Sequence, residues 1–316
     1  MTISSAGVEL LTPGCLGTCW YGKYHYLEPW VGCEHDCDYC YARFRTPVIE
    51  AVTARGTSFS RPALTLPLAD LQVQLAAELV RQQVEIVKIS RFTDFFSAST
   101  LAQGWARAVL EVLVASPVRR VIITTKGAPD AACQEIMSRN PDRFSFNVVA
   151  KPAASLGFEE RIPSLDARLD AACRLQRAGV LTTIHMDPLI PGFEDQSPML
   201  EEFVDRLAAQ GLKRVMFSLL LLNDSMIALM RERRGATVTD RILEQFEPPS
   251  TRPYLPGQEE TVYRQPKPEV RASCIHRVSQ VLSERGFAFV LCSLKSGRGQ
   301  EGAAAGCPLC DGKFYA

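Results

Sequence analysis

The chain has 316 residues, of which 47% are hydrophobic and 22% charged, a composition typical of a globular α/β protein. No apolar run is long enough to cross a membrane, and the longest candidate, 215–222, is short. The 35 basic side chains balance 35 acidic ones, which counts against a DNA substrate because proteins that grip long nucleic acid usually carry a basic excess.

Strands and helices alternate along most of the chain. Buried apolar runs predict six strands, at 24–30, 84–89, 118–125, 144–150, 180–187 and 213–222. Helical spacing of apolar residues predicts the intervening helices, at 71–79, 101–115, 130–138, 164–178 and 200–207. This order predicts an α/β fold with parallel strands joined by right-handed crossovers.

The last part of the chain follows a different pattern. Residues 234–270 are rich in proline and predict a surface linker, or else a lid that carries Arg252, Tyr254 and Tyr263 over the strand ends. A helix at 269–284 and a strand at 287–292 are predicted next. The predicted divisions are an N-terminal cysteine-containing segment (1–23), a β/α core (24–233) and a C-terminal extension (234–316).

Eleven cysteines suggest metal ligands rather than disulfides. Met-Thr-Ile-Ser-Ser at the start lacks the pattern of a signal peptide, so we expect a cytoplasmic protein, in which thiols stay reduced.

Three of the cysteines follow the first predicted strand directly, in the run Gly-Cys-Glu-His-Asp-Cys-Asp-Tyr-Cys-Tyr-Ala-Arg at 32–43. Cys33, Cys37 and Cys40 can bind three irons of a cubane cluster and leave the fourth iron open for another ligand. The alternative is a zinc loop, although zinc sites usually combine a C-x2-C pair with a second, distant pair.

The C-x3-C-x2-C spacing, with Tyr39 before the last cysteine, resembles the radical S-adenosylmethionine (SAM) superfamily. The longer run resembles its spore photoproduct lyase-like branch, and the resemblance covers roughly residues 24–222. Weaker matches follow at Thr93-Asp94, Thr125-Lys126, Glu160-Arg161, Arg168-Leu169, Ala178-Gly179 and Pro188–Asp195. The branch's Asp-Pro-Tyr-Gln-Pro segment differs here at 94–98, and Thr100 replaces a later glutamate, which puts substrate contacts in doubt more than SAM contacts.

The resemblance implies a partial (β/α)6 barrel, with the cluster loop at the C-terminal ends of the strands. It also implies a [4Fe–4S] cluster that binds SAM, takes one electron from a flavodoxin- or ferredoxin-type protein and cleaves SAM to a 5′-deoxyadenosyl radical. The SAM contacts it implies are Tyr39, Ile190 and Gly192 near the adenine, Thr93 and Asp94 at the amino group, Lys126 and Arg168 at the carboxylate, and Asn147 at the ribose. Arg168 could equally be a surface charge, and Asn147 could simply end a strand.

The other eight cysteines fall into two groups. Cys133, Cys173 and Cys274 lie on predicted helices and are expected in the core. The remaining five are candidate ligands of a second metal centre in the C-terminal extension: Cys15, Cys19, Cys292, Cys307 and Cys310. We expect a second [4Fe–4S] cluster on the last three, completed by one of the first two if that loop reaches the barrel mouth. Zinc, or a redox dithiol or hydrogen-atom donor, is the alternative.

Together these features predict an enzyme. The radical would remove hydrogen from a small substrate, such as a nucleoside or nucleotide-sugar, and the second cluster would donate sulfur. Arg252, Lys295 and Arg298 are candidate phosphate ligands. The alternatives are an oxidoreductase whose second cluster transfers electrons, a DNA-lesion repair lyase of the spore photoproduct type, and a non-enzymatic iron–sulfur or zinc protein.

Overall fold

The computed structural model describes residues 9–14, 24–152, 156–250, 253, 255, 257–292, 309, 310 and 314. Within this part of the chain, eight strands form one sheet in the order β1-β2-β5-β6-β7-β8-β9-β10. These strands are β1 (Leu11–Pro13), β2 (Tyr24–Leu27), β5 (Ile86–Ile89), β6 (Arg120–Thr125), β7 (Phe144–Val149), β8 (Leu181–Leu189), β9 (Arg214–Leu219) and β10 (Ala288–Leu291). Pairing is parallel from β2 to β10, and β1 pairs with β2 in the antiparallel direction. A separate antiparallel pair joins β3 (Trp30–Val31) to β4 (Ala63–Leu64).

Helices connect the parallel strands of the sheet. They are α1 (Thr46–Ala54), α2 (Leu68–Arg81), α3 (Ala98–Ala102), α4 (Trp105–Ala115), α5 (Ala131–Arg139), α6 (Leu165–Arg177), α7 (Met199–Ala209), α8 (Asp224–Arg234), α9 (Ala236–Leu243) and α10 (Pro268–Glu284). Polar side chains fix several starts: Asp130, Ser164 and Asn223 each accept a backbone N–H from the first turn of α5, α6 and α8. None of the described helices is long and apolar enough to cross a membrane.

Side chains alternate between the two faces of the sheet. On β7, Phe144 and Phe146 pack into the main core with the helices, while the buried Asn147 takes the opposite face. On that opposite face, Tyr24 of β2 and Val290 of β10 pack in one cluster, although their strands are far apart in the sheet order. The sheet therefore curls into a partial barrel, as predicted.

The six strands predicted for the barrel are present, with ends that differ by a few residues. The first is shorter than predicted, because it ends at Leu27 and Trp30 pairs with the separate strand β4. The helix predicted at 101–115 is divided between α3 and α4 by Gly104, which has a φ of +69°. The strand predicted at 287–292 is present as β10, which pairs parallel to β9.

The C-terminal extension is more regular than predicted. The expectation of irregular structure at 234–270 is wrong for its first part, since α9 occupies Ala236–Leu243, and α8 before it was not predicted. Met226, Ile227 and Met230 of α8 are buried against the cluster loop, so packing stabilises this helix despite its many charges. Arg252 and Tyr254, two residues of the predicted lid, lie outside the described residues.

Candidate active site

The loop at residues 32–43 follows β3 and brings three cysteines together. Cys37 is buried, and Cys33 and Cys40 are half-buried. The backbone N–H of Cys33 donates to the carbonyl oxygen of Phe59 at 2.6 Å, and that of Cys40 to the carbonyl oxygen of Cys37 at 3.1 Å. These bonds fix the loop at both ends of the motif.

Burial makes the three thiols weak acids. It raises the pKa of Cys37 to about 12, that of Cys33 well above its ordinary value, and that of Cys40 as well, and mutual repulsion adds to the rise for Cys33 and Cys37. Thiols of this kind stay protonated until a metal binds, because a coordinated thiol is deprotonated. The set therefore fits a metal cluster better than a free nucleophile.

Within the described part of the chain, no three His, Cys, Asp or Glu side chains are arranged to hold a single metal ion. A cubane makes a different demand, because each thiolate binds its own iron atom. The three cysteines fit that demand in number and in spacing along the loop.

Two lysines lie near the ring of Tyr39, which is part of the cluster loop. The Nζ atom of Lys151 is 4.9 Å from the centre of its ring, and that of Lys126 is 5.5 Å away. The hydroxyl of Tyr39 donates to Glu159, whose pKa burial raises to about 8. Lys126 is also 3.9 Å from Glu159, so its ammonium group faces the ring and a carboxyl group together.

A buried ion pair holds the loop after β8. The Nζ atom of Lys151 is 2.9 Å from an Oε atom of Glu194, and it donates to the carbonyl oxygen of Pro188 at 3.0 Å. Glu194 in turn accepts the N–H of Ile190 at 2.8 Å. Burial lowers the pKa of Lys151 and raises that of Glu194, and their mutual attraction opposes both shifts. The pair therefore fixes the segment predicted to flank the adenine.

The structure brings several of the predicted SAM contacts together. Cys37, Tyr39 and Ile190 pack in one cluster of buried side chains. Gly192, two residues after Ile190, has a φ of +81° and donates its N–H to Asp195 at 2.6 Å. The loop 188–195 and the cluster loop thus contribute side chains to the same buried cluster.

Thr93 and Asp94 connect the cluster loop to the end of β6. The hydroxyl of Thr93 donates to the carbonyl oxygen of Gly32. Asp94 accepts from the hydroxyl of Thr125 and the N–H of Lys126, both at 2.6 Å. Its burial alone would raise its pKa, but these bonds and the nearby His35 lower the pKa to about 2. This carboxylate is therefore ionised and engaged by protein groups, and its contact with SAM stays a prediction.

Arg168 and Asn147 are both buried. The guanidinium group of Arg168 donates to the carbonyl oxygens of Val149 and Pro163, which excludes the alternative of a surface charge. Asn147 lies within β7 rather than at its end; its amide donates weakly to Thr124 at 3.5 Å, and its Oδ1 atom has no partner within the described residues. A buried acceptor of this kind requires a partner such as water or a ligand.

The structure describes five of the eight cysteines outside the cluster loop. Cys133, Cys173 and Cys274 are buried in the main core, as predicted. Cys310 donates its N–H to the carbonyl oxygen of Leu291 at 2.9 Å, which places it beside Cys292 on the inner face of the barrel. The remaining candidates lie outside the described residues: Cys15, Cys19, Cys307, Lys295 and Arg298.

Two groups of residues at this site were missed by the reading of the sequence. One is the pair Lys151 and Glu194, of which only the surrounding Pro-Gly motif gave a signal. The other is a set of ion pairs between the cluster loop and the end of α8. The sequence shows the members of this second set, which are Arg233-Arg234 and the two aspartates that flank Cys37. No local pattern connects the arginines to the aspartates.

A partial barrel of parallel strands, with a three-cysteine loop at the strand ends, is the arrangement that the resemblance to the radical SAM superfamily implied. No family model matches the sequence, and no curated protein does. Several solved structures do have a similar fold. Spore photoproduct lyase complexed with dinucleoside spore photoproduct has a TM-score of 0.64 and 16% identity, over 84% of this chain and 75% of that one. SuiB of Streptococcus suis bound to S-adenosylmethionine has a TM-score of 0.50 and 12% identity, over 85% of this chain and 50% of that one. The chain therefore shares its fold with these two structures.

Proposed function

We propose that this protein is a radical SAM enzyme, in which a [4Fe–4S] cluster on Cys33, Cys37 and Cys40 supplies the electron that cleaves SAM. The observation that carries the proposal is the buried contact between the cluster loop, at Cys37 and Tyr39, and the loop at Ile190. A ligand that spans both loops would lie directly beside the three thiols.

The side chains around this contact suit the charges of SAM. Lys126 places a cationic group near Tyr39, and a fixed cation holds a carboxylate well. The apolar surface of Ile190 and the ring of Tyr39 suit a flat adenine. Further support comes from a spore photoproduct lyase variant with bound AdoMet, which shares the fold with a TM-score of 0.62.

The test replaces Cys33, Cys37 and Cys40 by alanine together and measures 5′-deoxyadenosine under anaerobic reducing conditions. We expect no cleavage and a folded chain, because the core of the barrel does not include these side chains. Cys173→Ala is the matched control, since this cysteine packs on α6 in the core and should leave cleavage intact. Undiminished cleavage in the triple variant would refute the proposal.

We further propose that the substrate is a small molecule, such as a nucleoside or nucleotide-sugar, and that a second [4Fe–4S] cluster donates sulfur to its radical. The neighbouring inward positions of Cys292 and Cys310 support a second site inside the barrel. A flavodoxin- or ferredoxin-type protein of the cytoplasm would supply the electron.

Iron content and labelled sulfide test this second step. A single cubane corresponds to about four iron ions per chain and two cubanes to about eight. If the second cluster is consumed, turnover stops near one product per chain and label from reconstituted cluster appears in the product. Unlabelled product with many turnovers would instead favour an electron relay, or a hydrogen-atom donor at Cys292.

DNA-lesion repair is the second candidate function, because spore photoproduct lyase shares the fold. The balanced charge of the chain argues against it. Turnover of DNA that contains spore photoproduct by the purified enzyme would decide for repair and against the small-molecule substrate.

A further inference from the structure

Two carboxylates are buried inside the cluster loop. Asp36 is 8% exposed and Asp38 is 1% exposed, and they flank Cys37 on either side. Buried charges require paired partners, and all partners of the two aspartates except Arg43 come from distant parts of the chain.

The main partners are the last two residues of α8. Arg233 lies 3.1 Å from a carboxylate oxygen of Asp36 and 2.9 Å from one of Asp38, and it also donates to the backbone carbonyl oxygen of Asp36 at 3.0 Å. Arg234 contacts the other oxygen of Asp38 at 2.5 Å and reaches Glu160 at 2.6 Å. One helix end therefore connects two points of the loop.

Asp36 is the point at which the loop departs from ordinary backbone geometry. Its φ is +49°, in the left-handed region that side-chain-bearing residues seldom adopt. Arg43 and Arg161 also contact its carboxylate, the latter at 3.3 Å. The ion pairs are thus concentrated where the backbone most needs support, one residue before Cys37.

We propose that Arg233 and Arg234 are positioning residues that hold the cluster loop in the shape that accepts a cluster, and that they neutralise its two aspartates. The inference rests on the proposed function for its second part. Reduction adds negative charge to a cluster, and nearby charge sets its potential. Without these two arginines Asp38 loses both of its cations and Asp36 loses one of three, so the potential should become more negative.

The experiment compares Arg233→Met combined with Arg234→Met against Arg231→Met. Arg231 is the matched control, because it lies on the same helix in an exposed pair with Asp240. In the metal-free full chain, amide exchange in residues 32–43 should be at least about tenfold faster in the double variant, while exchange in the barrel strands stays unchanged. After anaerobic reconstitution, the double variant should retain less iron and show a more negative potential.

Charge compensation separates neutralisation from general damage. Adding Asp36→Asn and Asp38→Asn to the double variant should return the potential towards the wild-type value, although the loop stays mobile. If the double variant fails to fold, Arg234→Lys replaces it; lysine keeps the charge but lacks the planar fork, so we expect faster loop exchange with little change in potential.

Loop exchange and potential equal to those of Arg231→Met would overturn the proposal. If the wild-type chain binds no iron at all, the proposed function fails, yet the exchange comparison on the metal-free chain still decides whether the arginines hold the loop.

Discussion

Replacing Lys151 by methionine should destabilise the protein strongly. Lys151 and Glu194 are both almost fully buried, with their charged atoms 2.9 Å apart. The variant leaves the carboxylate of Glu194 buried without its cation, a change that typically costs about 3–5 kcal/mol. It also removes the hydrogen bond to Pro188 and the cationic contact with Tyr39. We therefore expect the free energy of unfolding to fall by at least about 3 kcal/mol.

Urea denaturation of the metal-free protein measures this loss. The double variant Lys151→Met with Glu194→Gln should be more stable than Lys151→Met, because glutamine can still accept the N–H of Ile190 and carries no charge. The single variant should also be less impaired at low pH, since burial raises the pKa of Glu194 and protonation removes the uncompensated charge. A loss below about 1 kcal/mol, or a double variant no better than the single one, would refute this reasoning.

Three further predictions concern other positions. Arg277→Met removes the cation that contacts the fully buried Asp195. We expect the free energy of unfolding in urea to fall by about 1–3 kcal/mol, less than for a fully buried pair because Arg277 is partly exposed, and we expect weaker SAM binding. Burial raises the pKa of Glu28 to about 7, so the protein loses stability as the pH rises from about 4.5 through about 7 and this buried carboxyl group ionises. Glu28→Gln should remove up to about 3 kcal/mol of this loss, measured as the difference in the free energy of unfolding between about pH 5 and about pH 8. Gly127→Ala places a methyl group onto the backbone carbonyl oxygen of Phe96 and should cost at least about 2 kcal/mol, visible as a lower melting temperature; an unchanged melting temperature would show that this backbone yields freely.

Local patterns in the sequence were sufficient for the parallel strands and the cluster loop. Parallel strands buried on both faces appear as short, mainly apolar runs, and Phe144–Val149 is buried at every position although it includes Ser145 and Asn147. The spacing of Cys33, Cys37 and Cys40 is equally local, because one loop carries all three thiols. Both kinds of signal lie within a few consecutive residues, where the chain itself sets the geometry.

The same reasoning failed where composition and packing disagree. Proline at 248–256 suggested that the whole region from 234 onwards was irregular, yet α9 forms at Ala236–Leu243 directly after Gly235. Its buried residue Ile242 packs in the cluster that contains Cys37 and Tyr39, so the site itself supplies the surface that stabilises the helix.

Partners that lie far apart in the chain were decided by the tertiary structure alone. Asp36 and Arg233 are 197 residues apart, and they meet because α8 ends beside the loop that follows β3. Cys310 lies near Cys292 because Leu309 bridges Leu291 of β10 and the N–H of Cys310 donates to the carbonyl oxygen of Leu291. A sequence identifies the charged groups and thiols that need a partner. Which partner each one meets depends on the folded sheet, because the sheet brings loops from distant parts of the chain together.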